Sequence, residues 1–122
     1  MAGTYTEILE IDAPDRAVAG SEVTATVYIK NKHSAGIYIT ALAMLGSGER
    51  FIDYLWAAVN SGYAVGFEGS FIMPQEDVTI YAFSYFEATD GKFYLDDSME
   101  KRVAVEGARY GFSFGSPTAE YA

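Results

Sequence analysis

Carboxylates are the most plentiful reactive groups in the second half of the chain: Glu68, Glu76, Asp77, Glu87, Asp90, Asp96, Asp97 and Glu100. Two acids held about 5–9 Å apart are sufficient for glycoside hydrolysis. Yet Asp77, Asp90 and the Asp96-Asp97 pair fall at expected turns and strand ends, where acids cap and solubilise. Calcium is a better-matched use, because a hard cation takes several oxygen ligands from loops. Asp90, Asp96 and Asp97 are placed to converge at one end of a hairpin, although no DxDxDG loop accompanies them.

Nucleophilic chemistry has little to work with. The single histidine, His33, sits in the turn-like stretch NKHSAG, without an HExxH or GxSxG motif. There is no cysteine, which removes disulfides, thiolates and cysteine-bound zinc together. The expectation is a protein that is not an enzyme and carries no cofactor, calcium being the one exception considered. Aromatic residues offer a different chemistry. Trp56 and Tyr54, with Tyr85, would stack on sugar rings from an outer face. Packing against a neighbouring chain or a second layer is the competing use, and one Trp is few for a sugar platform.

Charge narrows the partners. A net charge of −9 leaves no basic patch to displace phosphate counterions, so nucleic acid is not an expected partner. No stretch approaches the ~20 apolar residues of a membrane helix. The first residues, MAGTYTE, show neither a basic start nor an apolar core of a signal peptide. With 122 residues, the chain suits one domain burying roughly two-thirds of its unfolded surface.

The elements that would position these groups read as strands. Ten Tyr and eight Phe against one Trp, with many Val, Ile and Thr, favour sheet over helix. Thr4 to Asp12 is a first strand with Tyr5, Leu9 and Ile11 in phase and Ile8 out of it, consistent with a bulge. Val23 to Lys30 alternates cleanly, Val23, Ala25, Val27 and Ile29 facing in. Ile37 to Leu45 is apolar on both faces. Phe51 to Val59 fits a helical stripe or a strand face, and its aromatic content favours the strand. Tyr63 to Met73 is a strand in which Gly66 and Gly69 mark a bulge or a close backbone approach. Val78 to Phe86 sends Val78, Ile80 and Ala82 inward, leaving Thr79, Tyr81, Phe83 and Tyr85 on a second face that is nearly as apolar. Asp90-Gly91 is a hairpin turn returning the chain as Phe93 to Leu95, and Lys101 to Glu106 is the last regular strand.

Short strands with turn signals every 8–15 residues make an antiparallel β-sandwich. The stretches VTATVYIKNKHSAGIYITAL (Val23 to Leu42), GYAVGFEGSFIMPQEDVTIYAFSYF (Gly62 to Phe86) and LDDSMEKRVAV (Leu95 to Val105) resemble bacterial and viral immunoglobulin-like domains. They are similar to adhesion-related and fibronectin-like modules of surface and virion proteins, where a VxVxVxNxG strand precedes a GxFxMPxxDVxI corner. The resemblance covers roughly residues 5 to 106, and its motifs are structural. It implies an all-β, immunoglobulin-like sandwich of seven to eight strands over residues 1–106, without the Cys…Trp…Cys core of antibody domains.

Residues 107–122 (GARYGFSFGSPTAEYA) follow that sandwich as a strand-like arm, with Tyr110, Phe112 and Phe114 at period two. An extra strand on its own sheet and an arm exchanged with a neighbour are both open, as is a frayed tail. Two-faced apolar strands, an aromatic tail and no catalytic constellation together lead to one expectation. The chain is a structural, assembling protein, a homo-oligomer or part of a larger protein assembly, with Tyr81, Phe83, Tyr85, Tyr110, Phe112 and Phe114 at the subunit contacts. The resemblance places it in a virion, as a capsid-associated or decoration protein, or in a cell-surface layer. The alternative is a carbohydrate- or cell-surface-binding module using Trp56 and Tyr54.

Overall fold

The alternation from Val23 to Ile29 is realised as a strand whose four apolar residues are all buried while Thr24 and Tyr28 remain outside. Each of the Val and Ile side chains removed from water contributes about 1.5–3 kcal/mol. The same period-two logic builds the rest of the computed structural model, which describes residues 3–107. Among them the order is β1 (Thr6–Asp12), β2 (Arg16–Val18), β3 (Glu22–Asn31), β4 (Ile37–Leu45), β5 (Arg50–Val59), β6 (Ala64–Ile72), β7 (Val78–Glu87) and β8 (Phe93–Glu106). The expected arm with Tyr110, Phe112 and Phe114 lies outside the described residues.

The strands form two sheets, β1-β3-β6 and β2-β8-β7-β4-β5. Neighbours are antiparallel except β2, which runs parallel to the end of β8. The core lies between the sheets. Val27 and Ile29 of β3 meet Ile39, Ala41 and Ala43 of β4, with Ile80 and Ala82 of β7 and Val103 of β8. Phe51 to Val59 is strand, as its aromatic content favours. At the Asp90-Gly91 turn, Gly91 takes a φ of 79° that an L side chain rarely adopts. Its N–H and that of Ala88 close the hairpin onto the carbonyls of Ala88 and Lys92.

Two details depart from expectation and a third decides between two expected readings, each for a local reason. In β1 the bulge is at Leu9, because Ile8 pairs with Ile29 and Glu10 with the next residue back, Tyr28. That extra residue resets the phase, so Ile8 and Ile11 are buried and Leu9 is exposed, the reverse of the expected pattern for Ile8 and Leu9. The C-terminal strand does not break between Leu95 and Lys101; β8 is continuous over 14 residues. Finally, β3 and β6 stay in unbroken register past both glycines, so neither marks a bulge. Gly69 marks a close approach instead: a Cβ there would lie 2.2 Å from the Phe51 carbonyl oxygen. At this point β5 of one sheet closes against β6 of the other.

Candidate binding face

Directly paired residues of adjacent strands share a face. On the side of the five-stranded sheet turned away from the core, Leu95, Tyr85, Thr40 and Trp56 make one row across β8, β7, β4 and β5. Ser98, Phe83, Leu42 and Asp53 make the next, then Glu100, Tyr81, Met44 and Arg50. On the other flank lie Phe93, Glu87, Tyr38 and Ala58. Tyr38 follows Glu87 because the Ile39–Phe86 pairing brings β4 and β7 together there. Thr40 and Leu42 are buried although they belong to the outer face, shaded by the large side chains beside them.

Tyr81, Phe83 and Tyr85, the expected contact residues, are half-buried. Part of the cover is supplied by the chain itself. Tyr54 is the extra residue of a bulge, since Ala41 pairs with Leu55 and Leu42 with Asp53. Its φ of 57° is left-handed, unusual for a residue with a side chain. The bulge sets the Tyr54 ring 5.7 Å from that of Tyr85, with the Arg50 guanidinium 5.4 Å from the Tyr54 ring centre. Burial pushes the Tyr85 phenol above the usual tyrosine pKa, and the Tyr54 phenol beside it adds to the rise; Arg50 opposes it.

Trp56 stands apart from this pair. It is 65% exposed, and the Tyr38 ring meets it edge-on at 5.4 Å and 72°. Tyr38, Trp56, Glu87 and Phe93 line a shallow cleft of about 220 Å³. The expected sugar platform of Trp56 with Tyr54 is therefore divided: Tyr54 engages Tyr85, and Trp56 engages Tyr38. Glu87 was named in the sequence only as one of many carboxylates, and Tyr38 and Phe93 were not named as binding residues. The signal for Phe93 was present, because an Asp-Gly hairpin places it opposite Glu87.

The acids considered for calcium have other work. A bulge at Asp96 (Ser84 pairs with Asp97 and Tyr85 with Leu95) lets two consecutive side chains turn toward β1. The Asp96 carboxylate accepts N–H bonds from Thr4 at 3.1 Å, Tyr5 at 3.1 Å and Thr6 at 2.7 Å, and the Thr6 hydroxyl at 2.6 Å. Having given its proton to Asp96, Thr6 Oγ1 accepts from Ser84 at 2.7 Å. Asp97, itself buried, accepts the Ile8 N–H at 2.8 Å. Asp90 belongs to a separate network at the hairpin tip, taking the Tyr94 hydroxyl at 2.5 Å and the Lys92 N–H at 2.9 Å. Those bonds, Tyr94 first, hold its carboxyl below the usual range. So Asp96 and Asp97 sit within a strand, not at a turn, and the expected convergence of the three acids is not formed. Among the described residues no three His, Cys, Asp or Glu side chains are grouped to hold a metal ion.

His33 is a turn residue. Its N–H donates to the buried Asn31 side chain at 2.8 Å, and its ring lies edge-on to Tyr5 at 5.1 Å. Asn31 also donates from Nδ2 to the carbonyls of Ala35 and Val59, tying the end of β3 to the turn before β4 and to the end of β5 in the opposite sheet.

The sequence matches no protein-family model and no curated protein. Its fold is similar to that of the CARDB domain of the PF1109 protein from Pyrococcus furiosus, solved in complex with di-metal ions. The TM-score is 0.64 at 13% identity, over 86% of this chain and 92% of that one. A chain of the complex between Zinc 2-glycoprotein and Prolactin inducible protein from human seminal plasma aligns at TM-score 0.62 and 15% identity, over 84% and 98%. At such identities the likeness concerns the fold alone. The chain is an all-β, immunoglobulin-like sandwich of two sheets.

Proposed function

We propose that this domain is a non-catalytic interaction module that assembles by burying the outer face of its five-stranded sheet against another copy. The observation that supports this is the row Leu95, Tyr85, Thr40 and Trp56, whose ends are 57% and 65% exposed and which Tyr54 extends beside Tyr85. A contiguous apolar face of this kind marks an interaction site on a soluble domain. The charge of −9 keeps such a surface from associating indiscriminately. In its narrower form the reading places the module in a virion or a surface layer, a setting supported by the sequence resemblance to such modules.

The test is light scattering of the full chain at rising concentration. The measured mass rises above that of one chain, and Leu95→Lys returns it to the monomer without altering the far-ultraviolet spectrum. A chain that stays monomeric throughout overturns self-assembly. The glycan-binding alternative is favoured by the open ring of Trp56, and it predicts that oligosaccharides change the Trp56 fluorescence.

A further inference from the structure

Glu87 is a half-buried carboxylate that takes part in none of the ion pairs among the described residues. It forms the floor of the cleft whose walls are Phe93 on one side and Tyr38 with Trp56 on the other. Phe93, Glu87 and Tyr38 lie on the adjacent strands β8, β7 and β4. The two walls therefore rise from backbones about 10 Å apart, two strand spacings. The Tyr38 and Trp56 rings meet at 72°, making a corner of that wall.

We infer that this cleft receives a lysine-type alkylammonium side chain presented by a partner protein. A cation seated between the walls has aromatic rings on both sides, and an aromatic ring attracts a cation over ~6 Å. Beneath it lies the Glu87 carboxylate, which has no counterion among the described residues. A pyranose would stack on Trp56, but its several hydroxyls need several polar partners, and Glu87 is the one charged group in the lining. The overall charge of −9 draws cations toward the surface. The cleft is open, so a free small cation would be only half wrapped. A side chain arrives with its own flanking segment, which rests on the neighbouring row of Tyr85 and Leu95. The inference uses the same outer face as the proposed assembly but does not depend on self-association.

The chain has one Trp, so its fluorescence reports on the cleft directly. The probes are acetyl-Gly-Gly-Lys-Gly-Gly-amide, its trimethyl-lysine and norleucine counterparts, and methyl glucoside. They are titrated at constant ionic strength into protein dilute enough to be monomeric. Both cationic peptides give a saturable change, and the norleucine peptide binds roughly fivefold more weakly or worse. Glu87→Gln weakens the lysine peptide by roughly fivefold and leaves the norleucine peptide unchanged. Tyr38→Ala weakens both cationic peptides. Equal binding of lysine and norleucine peptides, an indifferent Glu87→Gln variant, or a response to methyl glucoside alone overturns the inference. So does silence from every probe. Light scattering of Glu87→Gln separates the two ideas: a variant that loses the peptide yet still assembles shows that cleft and assembly are distinct.

Discussion

Thr6 and Asp96, 90 residues apart, are joined by two hydrogen bonds to one carboxylate oxygen, from the Thr6 N–H at 2.7 Å and its hydroxyl at 2.6 Å. The first residues of the three-stranded sheet are thereby fastened to a bulge in the five-stranded one. Gly3 makes room for this, since a Cβ there would fall 2.2 Å from the same oxygen.

Removing the carboxylate leaves donors from Thr4, Tyr5 and Thr6 without their partner. Asp96→Ala is expected to cost about 3 kcal/mol and Asp96→Asn, which keeps one acceptor oxygen, about 1 kcal/mol. Urea unfolding checks both, through a lower midpoint at unchanged slope.

Gly69 and Gly66 lie on one strand but face different obstacles. At Gly69 an added Cβ meets the Phe51 carbonyl oxygen at 2.2 Å, whereas at Gly66 it meets the Tyr28 side chain at 2.9 Å. A ring on the surface can swing aside and a backbone carbonyl cannot. Gly69→Ala should destabilise by about 3 kcal/mol and Gly66→Ala by under about 1 kcal/mol. Thermal unfolding of the two variants side by side checks the order.

Tyr54 combines a left-handed backbone with a ring set against Tyr85. Tyr54→Gly relieves about 1 kcal/mol of backbone strain and uncovers Tyr85. The Tyr85 phenol then titrates closer to its ordinary 10.0, because both the burial and the neighbouring phenol that raise it are reduced. Because its folded pKa is raised, this group's contribution to stability is present below the unfolded value and is lost as pH climbs through the folded one. Ultraviolet titration of wild type and variant checks the shift.

Acid should act on the β8 side of the five-stranded sheet. Asp77 is held below its ordinary 3.8 by the Arg102 guanidinium and then by the Val105 N–H; Asp15 is lowered by Lys101. A depressed carboxyl contributes above its unfolded pKa and loses that contribution as pH falls through its folded one. The window therefore lies below about pH 4. Carboxyl carbon shifts in NMR should place both midpoints below 3.8. Arg102→Gln should return Asp77 toward that value, and added salt should weaken both effects because the pairs are exposed.

The amino-acid sequence by itself determined the all-β class, the strand at Val23 to Ile29, the Asp90-Gly91 hairpin and the inward set of Ile80 and Ala82. These are local matters: a strand's two faces follow from alternation within a few residues, and a tight turn follows from the residues in it. The second apolar face of β7 was legible too, since Tyr81, Phe83 and Tyr85 share one phase. The tertiary structure alone decided what lies on that face and which acids act on what. Bulges at Leu9, Tyr54 and Asp96 each add one residue to one strand, and one residue reverses every side chain beyond it. Periodicity has no means of placing such an insertion when the strand that defines it pairs from elsewhere in the chain. So Asp96 reads as a turn acid in sequence and is a clasp on β1 in the fold. Tyr54 likewise leaves Trp56 to cover Tyr85, and the Trp56 cleft is completed by Tyr38, Glu87 and Phe93 from three other strands.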